Sequence, residues 1–117
     1  MNSKFYVSLE AARLLKEKGY NEETEYTIDN NGRIWMGEYR DECDFPCPTK
    51  VEAIDWLESN GIMIDIHWIR FNENRRWNYS IFNSTCDIID SKYNYLTRLE
   101  AEEAAIIKAC ELLTNEN

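Results

Sequence analysis

Two periodicities alternate along the chain. In residues 8–20, SLEAARLLKEKGY, the residues Ala11, Ala12, Leu14 and Leu15 gather on one side, Ser8 stands as N-cap, and lysines come late. The spacing predicts a helix that ends near Lys18, with Gly19 in the left-handed position beyond it. PTKVEAIDWLESNG predicts a second helix. Thr49 and Glu52 form a capping box, Val51, Ile54 and Leu57 make the buried stripe, and Gly61 stops it. The T-x-x-E pattern returns at Thr97 and Glu100, opening a last helix whose apolar stripe is Leu99, Ile106, Cys110 and Leu113. The second helix runs into a strand pair and the last one into the chain end, so the likeness is shared helix-start chemistry and not an internal repeat.

Between these segments the period falls to two. EYTIDNNGRIWMGEY carries Asn31-Gly32 between β-prone runs, a hairpin signal because both residues tolerate positive φ. A two-residue loop there sets Ile28 opposite Trp35 and Tyr26 opposite Gly37. In IMIDIHWIRFNENRRWNYSIFN, alternation puts Ile64, Ile66, Trp68 and Arg70 on one face with Trp77, Tyr79 and Ile81. A turn centred on Glu73 and Asn74 pairs Trp68 with Tyr79, Ile66 with Ile81 and Arg70 with Trp77. A third strand is expected near residues 86–90. The predicted order is α-β-β-α-β-β-(β)-α over residues 1–117. It describes one α+β domain whose antiparallel sheet, built from two hairpins, carries three helices on one face.

Composition narrows the class. The chain has 117 residues, a formal net charge of −9, 44% hydrophobic and 30% charged residues, which suits a soluble globule with a real core. The opening residues hold no apolar run of signal-peptide or membrane-span length, so a cytoplasmic protein without a membrane partner is expected. Residues 1–60 carry 7 basic and 13 acidic side chains, residues 61–97 carry 4 of each, and residues 98–117 carry 2 and 5. The neutral middle is where WIRFNENRRWNYS concentrates three arginines and four large rings.

That cluster has two readings. Trp68, Trp77 and Tyr79 share a face with isoleucines and are expected to be core, whereas a strand-binding platform shows its rings to solvent among basic groups. Arg70 is expected over Trp77 in a cation–π contact, with Arg75 and Arg76 guarding the hairpin tip. Nucleic-acid binding is disfavoured by the acidic remainder of the chain. Cys43 and Cys47 in CDFPCP are spaced like some metal ligands, but no second pair or nearby histidine completes a zinc site. They read as two loop thiols, with metal binding or a disulfide between them left open, and Cys110 reads as core. His67 is the single histidine, with Asp65 placed to orient it; no nucleophile stands beside it, and no phosphate-binding, metalloprotease or dinucleotide motif occurs. No catalytic residue, cofactor or metal is assigned.

Glu100, Glu103 and Glu111 line one side of the last helix, with Glu102 slightly off it, which admits mimicry of DNA phosphates; solubility is the plainer reading. Ile107 falls within this acidic side and could anchor a partner or a second copy.

The segments SLEAARLLKEKGY, PTKVEAIDWLESNGI and RLEAEEAAIIKACELL, with a tryptophan- and tyrosine-rich strand pair between the last two, resemble a group of small uncharacterised proteins encoded by bacteriophages, prophages and mobile elements of gut bacteria. The resemblance implies an accessory protein of unknown activity and brings no catalytic residues. The function expected is non-enzymatic binding of an unidentified protein partner, or of a second copy as a homodimer, through Arg70, Arg75, Arg76 and Ile107. The alternatives are an acidic DNA-mimic inhibitor and an RNA- or single-strand-binding hairpin using Trp68, Arg70, Arg75, Arg76 and Trp77.

Overall fold

A computed structural model describes residues 2–37 and 44–113. After a short 3-10 turn at Ser3–Phe5 come α1 (Leu9–Glu17), β1 (Tyr26–Ile28), β2 (Ile34–Met36), β3 (Phe45–Pro46) and α2 (Lys50–Ser59). The chain continues with β4 (Met63–Phe71), β5 (Asn74–Phe82), β6 (Ile88–Tyr95) and α3 (Arg98–Leu112). The fold is α+β in the predicted order. The two hairpins build separate antiparallel sheets, β2-β1-β3 and β4-β5-β6. Phe45–Pro46, read as loop from the sequence, adds an edge strand to the first; an edge tolerates the proline because its missing N–H faces no partner. The third strand of the second sheet runs further than expected, to Tyr95.

The helix starts form as their sequences dictate. Ser8 accepts from the Ala11 N–H, Thr49 and Glu52 close a full capping box, and Thr97 accepts from the Glu100 N–H. Gly19 and Gly61 take φ of +103° and +90° just beyond α1 and α2, where an L-residue would be strained.

Both hairpin registers differ from expectation. In the first, Ile28 faces Ile34 and Thr27 faces Trp35, a slip of one residue. The cause is Asp29. Its carboxylate accepts from the Asn31 and Arg33 N–H groups and from the Trp35 indole, and Gly32 N–H reaches the Asp29 carbonyl, so three residues form the loop and only Gly32 needs positive φ. In the second, the turn falls on Asn72 and Glu73, with φ of 48° and 69°, and the pairs are Ile66 with Tyr79, Trp68 with Trp77 and Arg70 with Arg75. A slip of two preserves the faces while changing every partner. The Arg70–Trp77 contact is therefore replaced by two others: Arg75 lies over Trp68 at 5.3 Å and Arg98 over Trp77 at 5.4 Å.

Helix α3 is the hub, touching α1, α2 and all three strands of the second sheet. Leu15, Leu57, Ile81, Ile106 and Cys110 are fully buried around it. The stripe of α2 is turned from the predicted one: Ala53 and Leu57 are buried with Lys50, Ile54 is half-buried, and Val51 is 62% exposed. Cys47 is a free thiol in the connection between β3 and α2, as expected, but it is buried. Its N–H pairs with the Tyr26 carbonyl, its Sγ lies 3.7 Å from the Val7 carbonyl, and it is fully buried; burial pushes the thiol up to about 11, and that of Cys110 up to about 12. Cys43 lies outside the described residues. Tyr79 is also core, stacked on Tyr95 at 6.0 Å and donating to Asp90; burial and the adjacent carboxylate raise its phenol far above the ordinary range.

A candidate docking arm

The described molecule measures 47 × 35 × 18 Å, and the short dimension is that of one helix layer on one sheet. A nine-residue strand such as β4 spans about 30 Å, whereas the fifteen residues of α3 span about 22 Å. The hairpin of β4 and β5 outruns its cover. Toward Ile81 and Tyr79 the inner face is buried; at Trp77 it is half-buried, and at Trp68 the ring is 53% exposed. The expectation that both indoles are core thus fails for Trp68, because the helix ends before the strand does.

The opposite face of the arm is open as well. Ile69 and Phe71 stand exposed there, Phe71 at 53%, and a shallow hollow joins them to Arg76, Tyr93 and Asn94. Tyr93 is 74% exposed; Asn94 beside it takes φ of 82°, where β6 slips register against β5. Arg70 and Arg75 are directly paired across the strands, like charge facing like charge, and both are exposed. Arg76 faces Ile69, is half-buried, and donates to the Arg75 carbonyl.

Of the residues singled out from the sequence, Arg70, Arg75 and Arg76 are thus brought together with Trp68, Phe71 and Tyr93 on one projecting arm whose turn bears the single carboxylate Glu73. Ile107 is not part of it. It is half-buried on α3 and lines a separate cleft with Tyr95. His67 and Asp65 meet as expected, Nδ1 to carboxylate at 2.8 Å, on the open face of β4. The acidic side of α3 is broken: Glu102 is buried against Arg98, Glu103 accepts from the Ser8 N–H and Oγ–H, and Glu100 and Glu111 stand exposed. The exposure of Phe71 and Tyr93 was missed from the sequence. A signal for it existed in the alternation, which places Ile69 and Phe71 on the strand face opposite Ile66, Tyr79 and Ile81.

Comparison of the chain with protein-family models, curated proteins and solved structures finds no match. No helix among the described residues is long and apolar enough to cross a membrane.

Proposed function

We propose that this chain is a non-enzymatic accessory protein of a phage or mobile element, working in the cytoplasm by gripping an acidic segment of another protein with the β4–β5 arm. One observation carries the reading: at the outer end of the β4–β5 hairpin, beyond the cover of α3, Trp68 stands with Arg70 and Arg75 on one face and Phe71 and Tyr93 stand with Arg76 on the other, each ring more than half exposed. Exposed aromatic rings and arginines together are the composition of binding hot spots, and three guanidiniums in an otherwise acidic chain select a partner that is acidic at the contact. The intervening aliphatic residue, Ile69, favours a protein over a nucleic acid, since it offers no stacking plane. Mimicry of DNA is the weaker reading because Glu102 and Glu103 are already engaged within the fold.

A single-stranded nucleic acid is the second reading, favoured by the Arg75 guanidinium stacked on an open Trp68 ring. One experiment separates them. A photo-crosslinking amino acid at position 93, used in cells, should capture a protein peptide rich in Asp and Glu, and Arg75→Glu with Arg76→Glu should abolish the adduct. Capture of RNA or DNA, capture of the chain itself, or an adduct that survives the charge reversal each overturns the proposal.

A further inference from the structure

Away from the arm, a cleft of about 680 Å³ opens where the N-terminal ends of α2 and α3 converge beneath the 3-10 turn. That volume is within the range of sites that enclose small organic ligands. Tyr95, Leu99, Ala104 and Ile107 give it apolar walls, and Lys4 and Lys50 supply two ammonium groups. Lys50 is the unusual member. It occupies the first turn of α2, is only 7% exposed, and its ammonium has one hydrogen-bond acceptor, the Lys4 carbonyl. No carboxylate among the described residues pairs with it.

A buried ammonium has three protons to place, and a lone buried cation is costly unless an anion accompanies it. The N-terminus of α3, the positive end of its dipole, opens on the same space and adds to the local positive field. Two carboxylates also line the cleft. Glu103 is held by the Ser8 N–H and hydroxyl, at 3.2 and 2.6 Å, Glu100 is exposed, and neither forms an ion pair with Lys50.

We infer that this cleft binds a small amphiphilic anion, one carboxylate on an apolar body, with the carboxylate at Lys50 and Lys4 and the body against Leu99, Ala104 and Ile107. The site assigns a role to Ile107 that a protein-docking anchor does not. It is independent of the arm, so failure of either reading leaves the other standing.

The test uses the full chain with octanoate, 1-octanol and octylammonium as probes, read by calorimetry and amide chemical shifts. Octanoate should saturate and shift the amides of Leu99, Ala104 and Ile107. Lys50→Met, which keeps length and removes charge, should weaken octanoate at least tenfold while leaving octanol unchanged, and Ala104→Phe should block both. Should Lys50→Met not fold, Lys4→Met is read instead, with a loss of at least threefold expected. Non-saturating octanoate, equal octanoate affinity in the charge-removed variant, or tighter binding of octylammonium than of octanoate overturns the inference.

Discussion

Arg98 is badly placed for a helix. It is the first residue of α3, where the dipole disfavours a cation, and it precedes its i+4 partner Glu102 in the less favourable order. Its position is explained by what it covers: its Nε lies 3.1 Å from a Glu102 carboxylate that is 7% exposed, and its guanidinium lies over Trp77. Exposed helix pairs contribute about 0.3–0.5 kcal/mol, and breaking a fully buried pair costs about 3–5 kcal/mol. Arg98 is 52% exposed, so water reaches the pair from one side and the cost of Arg98→Ala should fall between, at about 2 kcal/mol. About 0.5–1 kcal/mol of that belongs to the Trp77 contact. The remainder comes from stranding a carboxylate in the core, which makes the two partners unequal. Glu102→Gln merely frees a half-hydrated guanidinium, so it should cost less than Arg98→Ala, and adding it to Arg98→Ala should recover about 1 kcal/mol. Urea unfolding of the four proteins in the cycle measures this. An Arg98→Ala cost below about 0.5 kcal/mol, or no recovery in the double variant, refutes the argument.

Three further outcomes are expected. The Thr27 hydroxyl is buried on the strand flanked by Trp35 and Pro46 without a hydrogen-bond partner among the described residues, so Thr27→Val should raise stability by about 1 kcal/mol in urea unfolding, and a loss would show that the hydroxyl is satisfied. Asp29 is held below the usual carboxylate range, first by the Trp35 indole and then by the Arg33 N–H. Its contribution is therefore complete above its unfolded pKa, about 4, and lost as pH falls through the lower folded value; Asp29→Asn should flatten that acid limb of the urea midpoint. In native protein, iodoacetamide should alkylate exposed Cys86 and spare Cys47 and Cys110, whose raised thiols lie in the core, until denaturant is added; peptide mass mapping reads the difference.

The caps were legible because each is a local contract between residues three apart: Ser8 with Ala11, Thr49 with Glu52, Thr97 with Glu100. The strand faces of the second hairpin were legible too, since alternation survives any even slip. Register was not, because it depended on which side chain captured the turn. Asp29 took three donors and moved the first hairpin by one, and Asn72 and Glu73 accepted left-handed backbone and moved the second by two. The exposure of Trp68 lay beyond local pattern altogether, being decided by where a helix thirty residues later runs out. Lys50 was invisible for a similar reason: a lysine in a helix's first turn reads as solvated, and only the folding of residues 3–5 over it makes it buried.

The seam between Ser8 and Glu103 joins residues 95 positions apart, and it has a bearing on the order of events during synthesis. The meander from Met63 to Tyr95 consists of neighbours in the chain and can close as soon as it leaves the ribosome. The helix that lids it is translated afterwards, and until then α1 has β3 to pack on but lacks the α3 surface that completes the cover of Ala11, Ala12 and Leu15. A nascent chain paused before residue 98 therefore displays two oily surfaces at once, which makes it a natural client for a chaperone.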